Sequence, residues 1–89
     1  ANVIIRLTNG TKVIAVLWGE YYGSIFTVLY SEIFDQSMRG KGVYQRLLAS
    51  MQEHMTIESD VHHNNAAKST YVRLGATETR DGRYVLRKK

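Results

Sequence analysis

Apolar and polar positions alternate along the first third of the chain, which is the two-residue period of sheet. Val3-Ile4-Ile5-Arg6-Leu7 is β-branched, and Asn9-Gly10 behind it is a strong short hairpin signal. Residues 12–18, which include two valines, are the expected return strand. Gly19-Glu20-Tyr21-Tyr22-Gly23 reads as a second turn, and residues 24–34 as a third strand. At eleven residues that strand is long, so a bulge or a splay is expected within it.

From Gly42 the period lengthens. Val43, Leu47, Met51 and Met55 recur every four residues with Leu48 beside them, which predicts a helix to about Met55. A short strand follows at 56–61. Asn64 then offers a side-chain cap to a second helical stripe, Ala67, Tyr71 and Leu74, closed by Gly75. Two final strands, 76–80 and 83–87, flank Asp81-Gly82, a second two-residue turn signal, and Arg87-Lys88-Lys89 reads as a solvated tail. The order is β-β-β-α-β-α-β-β, an α+β arrangement of one mixed, mostly antiparallel sheet with two helices.

Length confines this pattern to a single domain, residues 1–89, with one core. Hydrophobic residues make up 44 % and charged residues 22 %, the balance of a chain that folds. Cysteine is absent, which excludes a disulfide scaffold, a thiolate metal site and a cysteine nucleophile together. The longest apolar run, residues 13–18, is six residues against the roughly 20 needed to cross a bilayer, and no charged-then-apolar leader opens the chain. A cytoplasmic protein with no membrane partner is the expectation.

Charge is unevenly placed. Residues 1–38 carry Arg6 and Lys12 against Glu20, Glu32 and Asp35, a net of −1, while residues 39–89 carry +5, which together make the chain's +4. A basic second half suits an anionic partner such as nucleic acid, lipid or a phosphate-rich cofactor, and it suits solubility equally well.

The chemistry concentrates in Glu32-Ile33-Phe34-Asp35-Gln36-Ser37-Met38-Arg39-Gly40-Lys41-Gly42-Val43-Tyr44, which passes from strand through a glycine-rich loop into a helix. A helix N-terminus presents unpaired N–H groups and about half a positive charge, a seat for an anion. Gly40 and Gly42 let the backbone approach a ligand closely, and Arg39 and Lys41 add mobile positive charge at the rim. A phosphate or pyrophosphate fits such a seat. The spacing of a P-loop is missing, and Gln45 stands where a dinucleotide fingerprint needs its third glycine.

Arg39-Gly40-Lys41-Gly42-Val43-Tyr44 resembles the Q/R-x-x-G-x-G/A motif with which the GNAT superfamily of N-acetyltransferases holds the pyrophosphate of acetyl-coenzyme A. Downstream, the segment from Asn64 through Ala67 and Tyr71 to Leu74-Gly75-Ala76 is similar to the family's N-x-x-A-x-x-x-Y-x-x-L-G-F/A segment. The resemblance covers roughly residues 12–86. It implies a GNAT-like (acyl-CoA N-acyltransferase) fold and the transfer of an acetyl group from acetyl-CoA to a primary amine, such as a protein lysine or N-terminus.

Carried over residue by residue, the resemblance places the pantetheine arm beside the strand end at Glu32, Ile33 and Phe34. It places the pyrophosphate on the amides of Arg39, Gly40, Lys41, Gly42, Val43 and Tyr44, and Asn64 near the cofactor arm. Tyr71 matches the tyrosine that often protonates the departing thiolate. Glu32, where an apolar residue is commoner, is the first candidate for the base, ahead of bulk water and of His62 or His63, whose spacing suits no metal. Tyr44 departs from the motif's glycine or alanine, so its ring must point away from the pyrophosphate. Two helices that usually cover the acceptor site are not evident ahead of the cofactor strand, which implies an acceptor pocket that is open, built by a partner chain, or absent. The alternative is a GNAT-like domain without catalysis, a binding or assembly module. Nucleic-acid binding by the basic half ranks last, because the cations cluster at the loop instead of along an aromatic sheet face. The exposed edge of so small a sheet suits a homodimer.

Overall fold

Six strands form one sheet in the order β1-β2-β3-β4-β6-β5, with two helices packed on one face. A computed structural model describes residues 2–60 and 65–89. The strands are β1 (Asn2–Asn9), β2 (Lys12–Tyr22), β3 (Ile25–Ile33), β4 (Thr56–Ser59), β5 (Thr77–Glu78) and β6 (Tyr84–Leu86). The helices are α1 (Val43–Gln52) and α2 (Asn65–Arg73). Neighbours run antiparallel throughout except β3 and β4, which are parallel because α1 crosses over between them. The element order and fold class agree with the expectation from sequence.

Several boundaries moved. The expected turn at 19–23 is strand, because β2 runs on to Tyr22 and only Gly23 and Ser24 separate it from β3. Gly19 belongs inside the sheet for a steric reason, since a Cβ there would lie 2.1 Å from the Thr27 carbonyl oxygen. The first hairpin closes on the Asn9–Lys12 pair, so Gly10 and Thr11 make its turn, one residue later than the Asn9-Gly10 signal suggests. Helix α1 ends at Gln52 instead of Met55. The last turn is a five-residue loop in which the Thr79 N–H donates to the Arg83 carbonyl at 2.8 Å and the Arg83 N–H to Thr79 Oγ1 at 3.0 Å. The basic tail is tied by its backbone, the Lys88 N–H donating to Thr56 Oγ1 and Gln52 Nε2 to the Arg87 carbonyl.

The expected irregularity in β3 is a bulge. Trp18 pairs with Tyr30 and Gly19 with Val28, so Leu29 is the extra residue and the strand's alternation inverts across it. Before the bulge, Phe26 and Val28 are buried; after it, Ile33 packs against Ile14, Ala15 and Val43. The main core joins Leu17, Phe26, Leu48, Ile57, Tyr71 and Leu86, each at most 1 % exposed. Burying one such side chain stabilises by roughly 1.5–3 kcal/mol, and this face of the sheet holds the fold together. Among the described residues, no helix covers the opposite face. There Ile4, Trp18 and Tyr30 lie in one row across β1, β2 and β3, all exposed.

Helix α2 closes as the sequence suggests. Gly75 takes φ +87°, the Ala76 N–H donates to the Tyr71 carbonyl and the Gly75 N–H to that of Val72, which is a complete Schellman cap. Asn64, the expected N-cap, lies outside the described residues, as do His62 and His63.

Candidate functional site

The end of β3 outruns its neighbour. Parallel pairing with β4 stops at Val28 and Ser59, so among the described residues the stretch 29–33 has a strand partner only in β2. The Phe34 N–H donates to the Ile14 carbonyl at 2.7 Å, on the β2 side. Successive residues of a strand aim their backbone groups to opposite sides, so the peptide groups of Ile33 face the open edge.

The loop beyond is built by two side chains. Asp35 caps a single 3-10 turn at Gln36–Met38, accepting from the Ser37 N–H at 3.0 Å and the Ser37 hydroxyl at 2.7 Å, while Lys12 pairs with its other oxygen at 2.8 Å. Lys12 first, then Ser37, hold the Asp35 carboxyl down to about 2. Arg39 Nη2 donates to the Ile33 carbonyl at 3.1 Å, lashing the loop to the strand it left. Arg39 is therefore an anchored cation, not the mobile one expected.

Gly40 and Gly42 take φ of +77° and +76°, and a Cβ on either would enter open space with nothing within 4 Å. Gly42 is the N-cap of α1 and supplies no side-chain cap, and the first helical bond runs from the Arg46 N–H to the Gly42 carbonyl. The amides of Val43, Tyr44 and Gln45 thus precede the helical ladder and are bared toward the loop.

These parts enclose a cavity of 630 Å³. Ser31, Glu32 and Ile33 line it from β3, Arg39, Gly40 and Gly42 from the loop, and Val43, Tyr44 and Gln45 from α1. Ala67, Ser69, Thr70 and Arg73 close it from α2. Arg73 donates to Gln45 Oε1 at 3.1 Å, bringing a second guanidinium to the rim. Two cations and a set of bared amides facing one opening, with Glu32 on the strand side, favour an elongated anion whose other end is uncharged. A pyrophosphate carrier with a long amide arm fits that description, and the cradle residues fit coenzyme A.

The cavity brings together Glu32, Ile33, Arg39, Gly40, Gly42, Val43 and Tyr44 of the residues singled out in the sequence. Phe34 and Lys41 lie outside its lining, with Phe34 half exposed beyond the strand end and its N–H committed to Ile14. Tyr71 is fully buried and reaches the site through another phenol, the Tyr44 hydroxyl standing 3.3 Å from its own. The Tyr44 ring therefore turns toward Tyr71 on α2 while still forming part of the cavity wall. Arg73 and Thr70 escaped the sequence reading, although with Ala67 they form a three-residue repeat along one face of α2. Glu32 neighbours Tyr30, and partial desolvation followed by the Glu32 charge raises that phenol above its ordinary value. Among the described residues, no group of three His, Cys, Asp or Glu could hold a metal, and no helix is long and apolar enough to cross a membrane.

No protein-family model and no curated protein matches the sequence. Solved structures do match. The ribosomal-protein-S18-alanine N-acetyltransferase of Escherichia coli superposes with a TM-score of 0.64 at 21 % identity, over 94 % of this chain and 64 % of its own. An Agrobacterium tumefaciens protein assigned as an acetyltransferase superposes with a TM-score of 0.64 at 23 % identity, over 96 % of this chain and 70 % of its own. The chain thus spans just under two thirds of the first of these, and its architecture is the GNAT-like fold.

Proposed function

We propose that this chain is an acetyl-CoA-dependent N-acetyltransferase domain that acetylates a primary amine on a protein, a lysine or an N-terminus. One observation carries the reading: the open edge of β3 and the uncapped start of α1 meet in a single cavity across two left-handed glycines. The fold shared with two acetyltransferase structures supports the same class of reaction. The bare row Ile4–Trp18–Tyr30, on the sheet that carries Glu32, supports an acceptor large enough to lie on a surface.

When bound, acetyl-CoA supplies an activated acyl group as a thioester. The protein's share is placement. Arg39, Arg73 and the amides of Gly40, Gly42, Val43 and Tyr44 would fix the pyrophosphate, and the open edge at Ile33 would hydrogen-bond the arm. An N–H on that edge is the donor for the carbonyl oxygen as it gains charge. Glu32 would receive the acceptor as an ammonium and take its proton, leaving the neutral amine to attack. Holding amine and thioester side by side provides most of the acceleration.

Calorimetry with acetyl-CoA tests the cradle, and release of coenzyme A thiol in the presence of amine-bearing peptides tests the transfer. Binding with turnover supports the enzyme. Binding without turnover on any peptide supports the second reading, a binding or assembly module, which the substitution of a bulky Tyr44 into the motif favours. The absence of binding overturns both.

A further inference from the structure

We infer that Tyr44, and not the fully buried Tyr71, is the phenol that meets the thioester sulfur, with Tyr71 acting behind it as a positioning residue. The inference rests on the acetyltransferase reading and concerns the same cavity.

A proton donor must touch the atom it serves. Tyr71 has 0 % of its surface exposed and is absent from the cavity lining, whereas Tyr44 is half-buried and forms part of the wall. Tyr71 is also fixed from two sides. Its ring meets that of Tyr44 edge-on, with centroids 6.3 Å apart and planes at 75°, and lies 6.4 Å from that of Tyr84 at 34°. Reaching the cavity would require this cluster to unpack.

The two hydroxyls stand 3.3 Å apart, which makes them a chain. Burial raises the Tyr71 phenol far above its ordinary value, and the Ser59 hydroxyl stands by it as a hydrogen-bond partner. Tyr71 therefore keeps its proton at any working pH and can donate it toward the Tyr44 oxygen. That donation turns the Tyr44 proton outward, to the cavity, and stabilises negative charge on the Tyr44 oxygen once its proton has gone. Tyr44 reaches this position from the first turn of α1, beside the amides proposed to hold the pyrophosphate.

The step balances. The acceptor nitrogen bonds to the acetyl carbon, the carbon–sulfur bond breaks with its electron pair on sulfur, and the Tyr44 O–H gives that sulfur its proton. Glu32 passes the ammonium proton to solvent before the attack, solvent removes one further proton from the acceptor nitrogen after it, and solvent returns one to the Tyr44 oxygen. The net change is amine and thioester to amide and thiol.

Ultraviolet titration of the coenzyme A thiol, bound to the full chain, reads the contact directly. A donor beside sulfur favours the thiolate, so the thiol bound to the unaltered protein is expected to titrate about one pH unit below free coenzyme A. Tyr44→Phe, with coenzyme A affinity retained, is expected to return the titration to that of the free thiol and lower thiol release from acetyl-CoA about 100-fold. Tyr71→Phe is expected to leave part of the shift. A Tyr44→Phe protein that titrates like the unaltered one overturns the inference alone, as does a Tyr71→Phe protein that loses the whole shift while Tyr44→Phe keeps it. An unaltered protein whose bound thiol titrates like the free one overturns it too. Failure to bind coenzyme A at all overturns the acetyltransferase reading itself.

Discussion

Gly19 presses against the Thr27 carbonyl so closely that a methyl group at 19 would sit 2.1 Å from its oxygen and 2.9 Å from the Phe26 ring. Backbone cannot retreat there without opening the β2–β3 ladder beside the bulge. Gly19→Ala is therefore expected to destabilise the fold by about 2 kcal/mol, within the range known for overpacked cores. A lowered urea midpoint at unchanged slope is the reading that checks it, while a midpoint equal to that of the original protein would contradict the close approach.

Gly42 is constrained differently. Nothing crowds it, but its φ of +76° costs an L-residue about 1 kcal/mol. Gly42→Ala should show that modest loss in thermal unfolding. Gly42→Glu adds bulk and negative charge where the pyrophosphate is proposed to sit, so coenzyme A affinity should fall by a factor of about 100 in calorimetry. Equal affinities for the two variants would place the diphosphate elsewhere.

Arg39 has two proposed tasks, cation and lashing, and substitution separates them. Arg39→Lys keeps the charge but lacks the planar fork, while Arg39→Ala loses both. Affinity for coenzyme A is expected to fall in the order Arg39, Arg39→Lys, Arg39→Ala, with about 1.5 kcal/mol between the ends. The gap should narrow at high salt. A salt-independent gap would assign Arg39 to loop geometry alone.

Asp35 provides a pH test. Its carboxyl lies near 2 in the folded chain against an ordinary 3.8, so the folded state favours its ionised form. The stabilisation from Lys12 and Ser37 is then fully present above pH 3.8 and is lost as pH falls through about 2. Carboxyl NMR should find this late titration, and Lys12→Met should move it upward. A midpoint near the ordinary value in the original protein would show that the pair does not persist in solution.

Element order, the Gly75 cap and the strand–loop–helix seat were readable because each rests on local chemistry: period, turn residues and bared amides. What failed were features decided across the sheet. Gly19 looks like a turn residue in its own neighbourhood, and only the approach of Thr27 makes it a strand residue. Arg39 looks free in a run of glycines, but the loop returns it to Ile33. Tyr71 was legible as a core aromatic and as a candidate donor at once, and sequence had no means of showing that Tyr44 stands between it and the cavity. Arg73 carried a helical-face signal that was readable once Tyr71 is assigned to the buried side of α2.

The short parallel seam has a mechanical consequence. The half-sheet β1–β3 and the half-sheet β4–β6 are joined by four residue pairs, from Ile25–Thr56 to Val28–Ser59, and among the described residues no rung joins β3 to β4 beyond them. An occupant there would act as the missing rungs of the ladder, so a carrier arm would brace one half-sheet against the other. Slowed hydrogen exchange along residues 29–33 on loading would register that bracing.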